Sequence, residues 1–182
     1  MRIIAGQFRG RPLVAPQGRQ TRPTGDRTRE TLFSMLASRI GGFGELWVAD
    51  LCAGSGALGL EALSRGAAKV VFVENDRAAL DAIKANVAAL KVAHLADVRP
   101  ISAERLPPPG ARAFDLVLAD PPYAEGSGTA LIKAVSDSGW LAPGGWLAVE
   151  THARDRVDPG PFRLEAERKV GKALLTLVSN QA

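Results

Sequence analysis

Leu46-Trp47-Val48-Ala49-Asp50-Leu51-Cys52-Ala53-Gly54-Ser55-Gly56-Ala57-Leu58-Gly59 decides the fold. Its first six residues form an almost unbroken apolar run, which reads as a strand buried on both faces, and a glycine loop then opens a helix over 56–65. Gly54, Gly56 and Gly59 satisfy G-x-G-x-x-G, and Glu74 closes the next apolar run, Lys69–Val73, twenty residues after Gly54. A strand, a glycine turn, a helix and a second strand make the βαβ unit of a parallel sheet covered by helices.

The alternation continues outward. A helix is predicted over Arg77–Leu90, a short strand over Val98–Ile101, and a proline-rich loop at Pro107-Pro108-Pro109-Gly110. Phe114–Ala119 is a near-continuous apolar strand, Gly128–Ser138 a helix and Trp146–Glu150 a further strand. Phe162–Glu167 and Ala173–Ser179 read as a C-terminal antiparallel hairpin. Before the glycine unit, residues 2–15 are read as a small β-ribbon with Arg9 and Arg11 at its turn. Thr24 is placed to cap a helix over 26–40 that buries Leu32, Phe33, Leu36 and Ile40. The expectation is an α/β fold, a mostly parallel sheet of about seven strands, with a ribbon-and-helix extension over residues 1–44 ahead of the main domain at 45–182.

At 182 residues the chain suits one domain with a small extension. No apolar run approaches the roughly 20 residues of a membrane span, and residues 1–6 lack the apolar core of a secretion signal. One cysteine, Cys52, excludes an internal disulfide framework and a multi-cysteine metal site. The chain is read as cytoplasmic, monomeric, and without membrane or metal. Its charge is uneven. Residues 1–30 hold seven arginines against Asp26 and Glu30, a net +5, whereas the other 152 residues carry 16 basic and 17 acidic side chains, a net −1. Arginine forks onto phosphate and stacks on bases, so an excess made only of arginine points to nucleic acid. Arg9, Arg11, Arg19, Arg22 and Arg27 are the candidate contacts.

The glycine loop alone fits a dinucleotide as well as another nucleoside cofactor, with Glu74 on the ribose in either case. Asp50 shifts the balance, because a carboxylate at the loop entrance repels a pyrophosphate. The same carboxylate attracts the sulfonium and ammonium groups of S-adenosylmethionine, which is therefore the favoured cofactor.

The strand Phe114–Ala119 delivers Asp120-Pro121-Pro122-Tyr123 to the carboxyl edge of the sheet. An exocyclic base amine is a weak nucleophile because its lone pair is delocalised into the ring. The Asp120 side chain and the Pro121 carbonyl can accept its hydrogens and aim the nitrogen at a methyl donor. Pro122 fixes the turn, and Tyr123 offers a ring for the target base, a stacking contact of about 1–3 kcal/mol.

In this order the motifs resemble class I, Rossmann-like methyltransferases of the amino-methylating type. The N-terminal residues Met1–Gly6, Arg9-Gly10-Arg11, Arg22-Pro23-Thr24, Asp26-Arg27 and Arg29-Glu30 narrow the likeness. So do Leu58–Ala67 and Gly171-Lys172. Together they resemble the bacterial family that methylates guanine N2 in 16S small-subunit ribosomal RNA, across nearly the whole chain. The resemblance implies S-adenosylmethionine as cofactor and ribosomal RNA, or the immature small subunit, as partner. It implies Asp50, Ala53, Gly54 and Gly56 around the amino-acid part of the donor and Glu74 on its ribose. Asn75 would lie beside the adenine, with Ser102 and Ala103 standing where an acid or amide usually binds the adenine amine. Asp120 through Tyr123 would hold the base, with Asp120 also lining the cofactor pocket.

Other readings stay in view. Asp-Pro-Pro-Tyr also serves adenine N6 methylation of DNA, although no separate target-recognition domain accompanies it here. A non-catalytic RNA-binding assembly module is the third. Cys52 is read as a small buried thiol, His94 and His152 as isolated surface histidines, and Trp47, Trp140 and Trp146 as core. Glu61 is read as equally suited to packing and to cofactor contact.

Overall fold

The computed structural model describes residues 1–18 and 25–181; Arg19, Arg22 and Thr24 fall outside them. Helix α1 (Gly25–Ile40) leads into β1 (Trp47–Leu51), α2 (Ala57–Ser64), β2 (Lys69–Val73), α3 (Arg77–Leu90) and β3 (Ala96–Arg99). Then come β4 (Phe114–Ala119), α4 (Ser127–Ser138), β5 (Leu141–His152), β6 (Arg163–Val170) and β7 (Ala173–Ser179). The strands form one sheet in the order β3-β2-β1-β4-β5-β7-β6, with β1 to β5 mutually parallel and β7 antiparallel to both neighbours. This is the expected α/β, Rossmann-like arrangement. Strand order reverses between β1 and β4, so a crevice opens beyond their carboxyl ends.

Both faces of the sheet are apolar because both are covered. On one face Phe33 of α1, Leu60 and Leu63 of α2, and Ile83 and Val87 of α3 pack over Val48, Val70 and Leu116. On the other, Leu131, Ile132 and Val135 of α4 pack with Trp140 over Val71, Val117 and Leu147. Gly59 lets α2 lie close on β2: a β-carbon there would stand 2.4 Å from the Phe72 ring.

Four elements differ from the sequence reading, the sixth strand by running on to Val170 where the reading ends it at Glu167. The third strand is Ala96–Arg99, two residues earlier than predicted; it is a half-buried edge strand whose polar residues hide its pairing, and Pro100 ends it for want of an N–H. The fifth strand starts at Leu141, because the Gly144-Gly145 segment stays in the sheet, Gly144 donating to the Asn180 carbonyl and Gly145 accepting from Asn180. The N-terminal ribbon is short: one bridge joins Arg2 and Pro12, flanked by hydrogen bonds from Ile3 N–H to the Arg11 carbonyl, from Gly10 N–H to the Ile3 carbonyl and from Leu13 N–H to the Met1 carbonyl.

Other backbone amides of this segment bond to α2. Ile4 and Ala5 N–H donate to the buried Glu61 carboxylate at 2.8 and 3.0 Å, and Phe8 N–H donates to Ser64 Oγ at 3.0 Å. Gly6, at φ +84°, lies so close to α2 that a β-carbon would come within 1.9 Å of the Ser64 carbonyl. The segment also joins the sheet's core through Ile3 and Leu13, so residues on both sides of position 44 share one apolar cluster.

Candidate active site at the carboxyl edge of the sheet

Three carboxylates stand at three strand ends around the crevice: Asp50 one residue before the end of β1, Glu74 directly after β2 and Asp120 directly after β4. Asp50 is only 1% exposed. Its Oδ2 accepts the Gly59 N–H at 2.9 Å, fastening the glycine loop to α2, while Oδ1 is buried with no hydrogen-bond partner among the described residues. Burial pushes the Asp50 carboxyl well above the usual carboxylate range; the Gly59 N–H opposes this, and the charges of Asp120 and Glu74 add to it.

Glu74 has a local task. Its carboxylate accepts the N–H groups of Gly54 at 2.9 Å, Asn75 at 2.8 Å and Asp76 at 3.0 Å, clasping the glycine loop to the end of β2. Gly54 faces open space where a side chain would stand. Ala53 is buried beside the loop and Asn75 is exposed at its rim. Gly56 packs over the Phe72 ring. Cys52, in left-handed backbone at φ 54°, sits among these acids. Burial, then the charges of Glu74, Asp50, Asp120 and Glu104, push its thiol up to about 12. A thiol so held is neutral and no nucleophile.

The early end of β3 moves Ser102 and Ala103 into the loop beyond it. Ser102 Oγ accepts the Glu104 N–H at 3.2 Å, and Ala103 is buried in the core beside Val71 and Val73.

Asp120 is exposed at the crevice mouth, with its N–H on the Leu51 carbonyl at 3.4 Å. Pro121 is buried; Pro122 is exposed and its carbonyl accepts Ser127 Oγ at 2.9 Å, which turns the chain into α4. Tyr123 is held from β5: its hydroxyl donates to Glu150 Oε1 at 2.8 Å, and its ring meets the His152 imidazole edge-on at 5.7 Å. Glu150 and His152 are the site residues that sequence reasoning missed. His152 is not an isolated surface histidine. No local sequence signal marks them: the register that pairs Ala119 with Val149 sets Glu150 and His152, still within β5, beside the residues that follow β4.

The arginines are not all brought to this crevice. Arg29 is 4% exposed and structural, its guanidinium bound to Asp26 and to the Arg2 carbonyl. Arg9 and Arg11 are exposed, but their turn lies against Ser64 and Ala89, at the ends of α2 and α3 away from the crevice. For a helix of 14 residues that is a displacement of about 20 Å along the axis. Arg27 is exposed on the first turn of α1.

The donor set tests what fits. Three acids, one with an unpartnered buried oxygen, would repel a pyrophosphate and suit a cationic nucleoside. Among the described residues no group of three or more His, Cys, Asp or Glu side chains could hold a metal ion, and no helix is long and apolar enough to cross a membrane.

Residues 1–179 match the family model described as Conserved hypothetical protein 95. The chain is 38% identical to the ribosomal RNA small subunit methyltransferase D of Escherichia coli K12, with all of this chain and 91% of the relative covered. It is 35% identical to the protein of that name in Haemophilus influenzae, covering 99% and 94%. Among solved structures, an Escherichia coli protein described as a candidate methyltransferase superposes with a TM-score of 0.83 at 37% identity, over 100% of this chain and 98% of that one.

Proposed function

Because the chain belongs to the Conserved hypothetical protein 95 family and is 38% identical to a ribosomal RNA small subunit methyltransferase D over its whole length, we propose that it is a class I enzyme methylating a guanine N2 of 16S ribosomal RNA. Its donor in this reading is S-adenosylmethionine. The observation that carries the donor is the cluster of Asp50, Glu74 and Asp120 at three successive strand ends, with the Asp50 Oδ1 still to be satisfied.

Asp50 and the loop from Ala53 to Gly56 hold the amino-acid end of the donor. Glu74 keeps its clasp on Gly54 and offers its remaining lone pairs to ribose hydroxyls, with Asn75, Ser102 and the Ala103 backbone toward the adenine. Bound there, the donor would supply an electrophilic methyl carbon, with its neutral thioether as the leaving group. Asp120 and the Pro121 carbonyl accept the hydrogens of the guanine amine, keeping its lone pair directed at that carbon. Asp120, exposed at the mouth, then takes the proton shed by nitrogen or passes it to solvent. Tyr123, fixed by Glu150 and His152, presents its ring to the base. Residues 1–44 serve in this reading as an RNA-binding extension of the domain at 45–182, through Arg9, Arg11, Arg19, Arg22 and Arg27. The protein works as a monomer in the cytoplasm on naked RNA or on the immature small subunit.

The test offers labelled S-adenosylmethionine with small-subunit RNA, immature small subunits and DNA, followed by digestion and identification of the modified nucleoside. Labelled N2-methylguanosine from RNA is expected. N6-methyladenine from DNA would replace the target, and cofactor binding without transfer would make the chain a non-catalytic RNA-binding module. Asp120→Ala should lower kcat by about a hundredfold or more while leaving donor affinity nearly unchanged. Glu74→Ala should instead weaken the donor.

A further inference from the structure

We propose that the turn between β6 and β7, with the loop that follows β5, forms a phosphate-binding ridge that holds the RNA strand on either side of the target base. It rests on the reading of RNA as the substrate and adds a contact surface that the sequence's charge distribution conceals.

The register places it. Strand β7 runs antiparallel to β5 with Ala173 opposite His152, so the turn at Gly171-Lys172 lies at the carboxyl edge, the end that carries Asp120 and Tyr123. Ala153 N–H donates to the Lys172 carbonyl at 2.8 Å, which sets Arg154 beside Lys172. Arg168 is opposite Leu175, and Leu175 is opposite Glu150. Residues directly opposed across antiparallel strands point to the same face. Arg168 therefore shares a face and a level with the Glu150 that holds Tyr123, two strand spacings or about 10 Å away. It also forms one wall of a shallow groove whose other wall includes Ser34, Ser38 and Arg39 of α1.

The charges are available. Arg154, Arg168, Lys169 and Lys172 are all exposed, and none forms an ion pair among the described residues. The neighbouring acid Glu167 is matched by Arg156 at 4.0 Å. The crevice itself holds carboxylates, so a polyanion gains nothing by entering backbone first. Phosphates settle on the ridge and leave the neutral base to cross to Tyr123. Arg9 and Arg11, a helix length from the crevice, are placed for more distant parts of a folded RNA.

The experiment replaces Arg154, Arg168, Lys169 and Lys172 together by Gln in the full chain. It measures binding of free small-subunit RNA against salt, methyl transfer at varied RNA, and donor affinity by calorimetry. Expected are RNA binding and KM weakened about tenfold or more, with a salt slope shallower by about two to three. Each phosphate contact to a single strand contributes about 0.7 to that slope. Donor affinity and kcat at saturating RNA should stay within about twofold, as binding far from the reacting atoms predicts. An RNA affinity and salt slope equal to the wild type would overturn the ridge. So would a defect confined to protein-bearing particles, which would make it a protein contact. If the fourfold variant loses donor affinity, Lys172→Glu, on the exposed turn, is judged by the same two outcomes. A wild-type chain that methylates no small-subunit RNA sinks the substrate reading instead, so the two failures are distinct.

Discussion

Asp50 is a buried acid whose neighbours disfavour its charge, and its stability contribution therefore runs opposite to that of an ordinary ion-paired carboxylate. A carboxyl whose folded pKa is raised contributes fully below its unfolded value, near 3.9, and that contribution is lost as pH rises through the folded pKa. Asp50→Asn keeps an acceptor for the Gly59 N–H and removes the titration. Its melting temperature should match the wild type near pH 4 and exceed it increasingly as pH rises, as read by thermal unfolding across pH. The same variant should bind the donor about tenfold or more weakly, because the cation loses the charge that Oδ1 provides. In the wild type, donor affinity should rise with pH over the range in which Asp50 ionises, and that dependence should vanish in Asp50→Asn. A variant uniformly less stable than wild type would mean that the charge is already compensated without the cofactor.

Elements were legible where their chemistry is local. The glycine loop and Asp120 to Tyr123 are each read within ten residues, and Glu74 from its place twenty residues on at the end of the next apolar run, since strand, turn and helix follow from periodicity and from what glycine and proline permit. What escaped depends on distant partners. Glu150 and His152 meet Tyr123 only because β5 registers on β4, with the Gly144-Gly145 segment shifting that register by residues no local pattern assigns. Arg29 reads like its six N-terminal companions, yet it is buried between Asp26 and Glu61. Glu61 is the hinge of this difference: wholly buried on α2, it accepts from Ile4, Ala5 and Arg65, with Arg29 Nε 3.9 Å away. Burial works against the charge of Arg29, which Glu61 and Asp26 offset. Glu61→Ala leaves a buried guanidinium facing two undocked amides, a loss of about 3–5 kcal/mol. Denaturant unfolding should show it, together with early protease cleavage before Leu13. A loss below about 1 kcal/mol, the scale of a surface pair, would remove Glu61 from that role.

On the scale of the whole molecule, charge and packing divide the chain differently. Charge sets the arginine-rich start apart from the rest, whereas packing joins them: Ile3, Leu13, Phe33 and Leu36 belong to the cluster that holds Val48, Val70 and Leu116. An extension that binds RNA need not be a unit that folds. Its segment over residues 1–14 leans on α2 through Glu61 and Ser64 and on α3 through Asn86, which accepts from Val14 N–H at 2.8 Å and donates to the Val14 and Ser55 carbonyls. Pulling it away would uncover Ile3 and Leu13 and strip the Glu61, Ser64 and Asn86 side chains of their partners in the segment, so local detachment costs nearly as much as unfolding. Hydrogen exchange resolves this directly. The amides of Ile3, Ile4 and Ala5 should open with a free energy within about 1 kcal/mol of the central amides of β1 and β4, and with the same denaturant dependence. Exchange at those three residues orders of magnitude faster than in β1 would instead make the segment over residues 1–14 a separate unit of folding as well as part of the charged start.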